Sequence, residues 1–561
     1  MPVAYREEGT PFSQASVVLT QQEHIQLKWE ARYWKSQHAR ALEREAALKE
    51  ALEQSQAQVR DLTQRLYGKR SEKGAARKDG PQCQGHSSRP RGQQEGTPGH
   101  GRTPRPELAV IEEVRELAGE EPCCASCGAR FESFPGTEDS EIIEIQVQGY
   151  IRRVKRPRYK KTCRCHGTPG LITAPPAARL IPKSPVGVSV WTEVLLDKYL
   201  YCTPTHRLCT DFASLGLPIA QGTLSGGLRK LGVLFEPLVG ALYEKQMTER
   251  LFHGDETRWM VFEAIEGKVG YRWYLWVTQS ASVVYYQVAP GRGADVPKAH
   301  FAGLAQELTE VILVCDRYVA YKCLAEANAV IVLAFCWAHV RRDFLEAARR
   351  WPALEVWMLS WVEAIGELYR LNAQRLELWE SSRPLAEQSA AFTARHEALL
   401  GKLSEMAERR DRALQEETLH SAQRKVLASL KNHWSGLTVF VAHPQVAMDN
   451  NTAERSARNP VTGRKNDYGS GRVWSAQLAA MMFTVLQSVL LWGLNPRHWL
   501  HSFLSACAEN GGAAPGDLSP FLPWAMDAPR REALSRALPA EGCLAALRAQ
   551  GLEAPEIIDT S

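Results

Sequence analysis

"LFHGDETRWMVFEAI", residues 251–265, places Asp255 inside an extended and otherwise largely apolar segment. A carboxylate in such a segment needs a reason, because burying a charge without a partner is strongly unfavourable. Two further strand-like runs follow, YRWYLWVTQS (271–280) and SVVYYQVAP (282–290). A helix is expected across 295–308, then the short apolar strand VILVCD (311–316), which ends at Asp316. AVIVLAFCWAH (329–339) reads as another strand, and it leads into the helix HVRRDFLEAARR (339–350).

The order β-β-β-α-β-α-β-α is that of an RNase H-like α/β domain. In that arrangement an aspartate in the first strand and one at the end of the fourth lie side by side, and a later helix supplies a third carboxylate. Clustered carboxylates repel one another unless protonated or bridged by hard divalent cations. Two Mg²⁺ or Mn²⁺ ions held this way activate a hydroxyl and stabilise the leaving oxygen of a phosphodiester. "DNNTAERSARNPVTGRKNDYGSG" (449–471) offers the third acid. It reads as a helix start, with Glu454 facing the sheet and Asp449 better suited to capping. The two are five residues apart and point about 140° away from each other on a helix. Arg458 shares the face of Glu454. Gly463, Arg464, Lys465 and Asn466, with Gly469 and Gly471, read as a basic loop suited to DNA.

The 561 residues suggest several domains, with 23% charged residues, 44% apolar residues and a net charge of only +5. The acidic, non-apolar N-terminus reads as no secretory signal. The apolar run Leu478–Leu494 is interrupted by Thr484, Gln487 and Ser488 and reads as a buried helix, not a membrane span. Five of the thirteen cysteines fall between 123 and 165 and the rest are scattered, which favours a reducing, cytoplasmic setting.

Residues 20–67 read as one long helix with a heptad seam. Trp34, Ala41, Leu48, Ser55 and Leu62 occupy one position, and His38, Glu45, Leu52, Val59 and Leu66 the other, so a homodimer or higher homo-oligomer is expected. Residues 68–106 carry nine Lys/Arg against three Asp/Glu with many Gly and Pro, a flexible basic linker. Residues 107–172 hold Cys124, Cys127, Cys163 and Cys165, a candidate Zn²⁺ set across a β hairpin. On the hairpin's second strand, Arg152, Arg153, Lys155, Arg156, Arg158, Lys160, Lys161 and Arg164 form an acid-free basic run that suits phosphate contact. Residues 185–247 read as helix, break at Pro204, helix, turn and a short helix from about Gln221, which resembles a helix-turn-helix. The catalytic domain is expected at 249–344 and 431–495, with an all-helical insertion at 345–430 and a C-terminal tail region at 496–561. Cys336 and His339 have metal-ligand spacing, but a structural role is the preferred reading.

Taken together these residues resemble the TnpC-type DDE transposase of the insertion-sequence-66 family of bacterial insertion sequences. "RLYGKRSEK" (65–73) resembles the family's motif closing the N-terminal helix, and "RGQQEGTPGHGR" (91–102) its Gly/His linker. The four cysteines fit its zinc-binding domain. "GDET" places the first catalytic aspartate at Asp255, "CDRYVAYKCL" the second at Asp316, and "DNNTAERSARNPVTGRKN" the glutamate at Glu454. "FCWAHVRRDF" resembles its Cys-x-x-His helix start. The chain departs from the family at Arg317, where Gly is common, and at "NDYGSG", where an aromatic-rich segment is common. The resemblance implies binding of terminal inverted repeats in double-stranded DNA, strand cleavage at element ends, transfer to target DNA, and small accessory proteins as partners. Two other classes remain open: a catalytically impaired, transposase-derived DNA-binding protein, and a stand-alone RNase H-like nuclease.

Overall fold

A computed structural model describes residues 20–67, 149–160 and 171–537, with residues 126, 127, 147, 162 and 169. In chain order the elements begin with the helix α1 (Gln21–Tyr67) and two short strands, β1 (Arg158–Lys160) and β2 (Leu171–Thr173). Three helices follow, α2 (Val188–Tyr199), α3 (Thr205–Ser214) and α4 (Gln221–Gln246). The sheet strands are β3 (Leu251–Met260), β4 (Arg272–Gln279), β5 (Val284–Ala289), β6 (Val311–Cys315) and β7 (Ile331–Phe335). Helix α5 (Asp295–Phe301) precedes β6, and α6 (Val319–Ala327) precedes β7. After β7 come α7 (Trp337–Arg350), α8 (Glu355–Leu376), α9 (Ala390–Gln415), α10 (Ser421–Asn432), α11 (Trp434–Leu437) and α12 (Val439–Ala442). The chain closes with α13 (Asn451–Asp467), α14 (Val473–Leu491), α15 (Pro496–Glu509) and α16 (Ala528–Ser535).

The chain divides into two compact units. The first takes residues 1–88, 341–367 and 416–427. Its helix α1 has no Pro or Gly and starts at a capping box: Thr20 Oγ1 accepts from Glu23 N, while Glu23 Oε2 accepts from Thr20 N at 2.8 Å. Trp34, Leu48 and Leu52 of the heptad seam are exposed. Phe344 stacks on Trp361 with ring centroids 5.6 Å apart, and both are fully buried.

The second unit takes residues 89–340, 368–415 and 428–561 and is built on a five-stranded sheet of order β5-β4-β3-β6-β7. β3, β4 and β5 pair antiparallel, while β3, β6 and β7 pair parallel. The element order from β3 to α7 is the one read from the sequence. β6 is buried at every position, which suits a central parallel strand covered on both faces.

Helix α14 seals the sheet edge at β5. Val284 N donates to Ser488 Oγ at 3.0 Å and Tyr286 N donates to Thr484 Oγ1 at 2.9 Å. Four residues of helix rise about 6 Å and two residues of strand about 6.8 Å, so the two hydroxyls match alternate edge N–H groups. The polar interruptions of this apolar helix thereby occupy the edge where another strand would add. By length and composition α14 is long enough to cross a membrane, and its Leu478, Met482, Phe483, Val485 and Leu486 lie in the core.

Several sequence expectations need correction. The strand expected from Tyr150 to Cys163 is, among the described residues, only Arg158–Lys160, and it pairs with Leu171–Thr173. Pro157 lacks the N–H a ladder needs, and the charged side chains of Arg152, Arg153, Lys155 and Arg156 all stay exposed. The last helix of the expected helix-turn-helix is not short. α4 runs 26 residues and buries Leu224, Leu228, Leu231, Leu234, Phe235 and Leu238 in the core that also holds the sheet. A Cβ on its Gly227 would lie 1.9 Å from Trp191 Cη2, so this glycine admits the Trp191 ring of α2. The region from 496 is also more than a tail up to α16: Trp499, Leu500, Phe503 and Leu504 of α15 join the same core. Cys124, Cys163, Cys165 and Lys161 lie outside the described residues, and Cys127 is exposed with a free thiol.

Candidate active site

Asp255 stands in the middle of β3, opposite Val277 of β4. The parallel register Leu251↔Ile312, Phe252↔Leu313, His253↔Val314 carries Asp255 level with the end of β6, where Asp316 follows Cys315. Asp316 Oδ1 accepts from Tyr318 N at 2.8 Å, which orders the turn into α6.

Helix α13 brings Glu454 to the same sheet. Three bonds set the approach of the chain leading into it. Asn450 Nδ2 donates to Gly254 O at 2.7 Å, Asn450 N donates to Cys336 Sγ at 3.2 Å, and Trp337 N donates to Met448 O at 2.8 Å. Asp449 Oδ1 accepts from Asn451 N at 3.1 Å, a cap-like bond at the helix start. Glu454 is half-buried, and His339 Nε2 lies 3.8 Å from its Oε1. Arg458 is exposed. Cys336, at the residue before α7, is 1% exposed, and its Sγ accepts from Asn450 N, so it joins the start of α7 to the start of α13.

The electrostatics tie the three acids together. Burial pushes the Asp255 carboxyl up to about 7, and the neighbouring carboxylates of Glu256, Asp316 and Glu454 push in the same direction. A bond from Glu256 N to Asp255 Oδ1 opposes this. Glu256, the next residue, faces the other side of the strand. Its Oε2 accepts from Tyr321 OH at 2.7 Å, and its Oε1 accepts from Arg292 Nε at 2.8 Å. Burial raises its carboxyl as well, with Asp316 adding to the effect.

The donors are hard oxygens carrying mutual repulsion, which is the chemistry Mg²⁺ or Mn²⁺ relieves. Among the described residues, no group of three or more His, Cys, Asp and Glu side chains is gathered tightly enough to hold a metal ion. The acids thus stand within electrostatic reach of one another, not in one closed ligand shell.

The basic half of the expected loop is helix, while Gly469 and Gly471 lie outside it. α13 continues to Asp467 and takes Gly463–Asn466 into its last turns. Arg464 Nη1 donates to Thr257 Oγ1 at 3.1 Å and to Arg258 O, and burial lowers its guanidinium pKa. Asn466 Nδ2 donates to Cys202 O at 2.8 Å, and Lys198 Nζ lies 3.0 Å from Asp467 Oδ2. Lys465 is exposed. The helix ends at Asp467 with Tyr468 in the left-handed conformation, and the next residue, Gly469, has a steric reason: it sits at φ +140°, and a Cβ there would lie 2.4 Å from Met260 O. Arg317 turns to Ser429 Oγ at 2.9 Å.

Sequence reading missed Glu256, Arg292, Tyr318, Tyr321 and Asn450. Glu256 did carry a signal, since two successive acids in a two-sided buried strand must face opposite ways. The others show only in three dimensions.

A mixed sheet with Asp255 on its central strand, Asp316 at the end of the neighbouring one and a helix bearing Glu454 against it defines an α/β core of catalytic type. Residues 183–478, more than half of the chain, match the Transposase IS66 family, and the protein belongs to that family. Membership carries a transposase-type function and, in general, a metal-dependent mechanism. The uncharacterized protein y4hP of Sinorhizobium fredii is 26% identical over 444 residues, covering 74% of this chain and 75% of its own. The uncharacterized protein y4jD of the same organism is 25% identical over 423 residues, covering 72% and 78%. No solved structure matches the chain.

Proposed function

We propose that the protein binds the terminal inverted repeats of an insertion sequence, cleaves DNA at the element ends and joins them to target DNA. In this reading β3–β7 and α13 form an RNase H-like catalytic domain, with Asp255, Asp316 and Glu454 as its acids. The observation that carries it is the β3–β6 register, which sets Asp255 level with Asp316, while Asn450 ties the start of α13, the helix that bears Glu454, to Gly254 O of β3. A structural acid gains nothing from such a place, whereas a cation ligand does.

Asp255, Asp316 and Glu454 would hold Mg²⁺ or Mn²⁺, which would activate the attacking hydroxyl and stabilise the leaving oxygen. The protein's own part is positional. Asn450 ties the start of α13 to Gly254 O and so sets where Glu454 enters. Tyr318 N holds one oxygen of Asp316 and leaves the other for a ligand. The exposed Arg152, Arg153, Lys155, Arg156, Arg158 and Lys160 would grip phosphates without reading bases. Lys161, Arg458 and Lys465 extend the same role, while Arg464 is already occupied. A structural Zn²⁺ on Cys124, Cys127, Cys163 and Cys165, end recognition by 185–247 and pairing through α1 complete the proposal.

The test is a cell-based transposition assay with the element's ends, together with end binding by purified protein. Asp255→Asn, Asp316→Asn and Glu454→Gln should each lower strand transfer by orders of magnitude with end binding largely kept. Normal transfer by Glu454→Gln would sink the assignment. A dead Asp449→Asn beside it would move the third acid to Asp449.

A further inference from the structure

Arg292 lies between β5 and α5 and has a setting that neither the acids nor the fold requires. Its guanidinium donates from Nε and Nη2 to Glu256 Oε1. The Glu256 side chain is 1% exposed, yet that of Arg292 is 39% exposed. The guanidinium carbon sits 3.7 Å from the centre of the Tyr318 ring, and Tyr318 OH donates to Arg292 O at 2.6 Å. Tyr318 also holds Asp316 through its N–H. One tyrosine therefore fixes both the carboxylate of Asp316 and the cation beside it. Nη1 makes no protein hydrogen bond among the described residues.

A guanidinium anchored along one edge, stacked on a ring and open at the other edge is preorganised for an oxyanion. Had the pair served only to neutralise Glu256, the cation would be expected to be buried with it.

We propose that Arg292 is a phosphodiester contact that seats a DNA strand beside Asp316, with Glu256 and Tyr318 as the residues that aim it. This rests on the DNA-processing reading above. Glu256 is then a positioning residue and not a fourth ligand, since both its oxygens are already engaged.

The test uses the full chain and duplex DNA without added Mg²⁺ or Mn²⁺, so that binding is read without turnover. Each phosphate contact contributes about 0.9 to the slope of log K against log salt. Arg292→Gln should lower that slope by about 0.9, and Arg292→Lys should retain it. Arg292→Gln also leaves Glu256 buried without its cation and can weaken the fold. The double variant Glu256→Gln/Arg292→Gln removes that difficulty. It should melt like the wild type and still show the lowered slope, whereas a merely neutralising Arg292 predicts full restoration of the slope. In the transfer assay the double variant should fall about 10²-fold, the loss expected from a misplaced strand. An unchanged slope in Arg292→Gln, beside a salt-dependent wild type, overturns the Arg292 assignment alone. A wild type that does not bind duplex DNA overturns the DNA-processing reading and this assignment with it.

Discussion

Asp255 is where burial and charge act together on one group. Its carboxyl rises from 3.8 to about 7, first by burial and then by Glu256, Asp316 and Glu454. The unfolded chain releases this proton near the lower value and the folded chain near the higher one. Between them the folded state holds the extra proton, so this group's contribution to stability is full below 3.8 and is lost as pH rises to about 7. Thermal melts of Asp255→Asn without divalent cation should therefore decline less over that window than wild-type melts. Added Mg²⁺ should raise the wild-type melting temperature above pH 7 and leave the variant nearly unchanged. Parallel pH profiles for the two proteins would contradict this account of Asp255.

At the scale of elements, helices complete what the strands leave open. α14 places Thr484 and Ser488 on the free edge of β5. An apolar helix without them would leave two buried N–H groups unpaired, at about 1–3 kcal/mol each. Thr484→Val with Ser488→Ala keeps the shape and removes both acceptors. Urea unfolding should show a loss of about 2–6 kcal/mol with little change in m-value. A loss below about 0.5 kcal/mol, the range of ordinary surface substitutions, would mean that water reaches this edge. α13 works similarly across the sheet: Tyr286 OH donates to Ser456 O at 2.8 Å, and Arg464 reaches the backbone of β3. These bonds turn an expected DNA loop into the lever that holds Glu454.

At the scale of the whole molecule, the chain joins an N-terminal helix of 47 residues to a catalytic-type α/β core. A helix that long with Trp34, Leu48 and Leu52 exposed along one heptad seam is suited to a second copy of itself. Transposition has to bring two element ends together, and pairing two chains through α1 would do so. Light scattering should give a dimer or larger oligomer for the full chain and a monomer after deletion of residues 1–67. A monomeric full chain at micromolar concentration would remove α1 from this role.

Local pattern was enough for part of this. Period-two apolar runs and the all-apolar VILVC identify the strands and their order, and acids at such runs single out Asp255 and Asp316 as candidates before any contact is known. The helix start read at 449–454 is found at α13, and it offers Glu454, with Asp449 in a cap-like place before it. Other features depend on which surfaces meet, and spacing along the chain does not encode that. Arg464 looks like a DNA contact until α13 lies across β3 and occupies it. Gly227 looks like a weak helix position until the Trp191 ring fills its space. Thr484 and Ser488 look like flaws in an apolar helix until β5 presents its edge. Glu256 and Arg292 lie 36 residues apart, and only the folded sheet puts the guanidinium over the carboxylate and leaves its far edge open. Hydrophobic period is a property of the chain, whereas the partner of a polar group is chosen by whatever the fold packs against it.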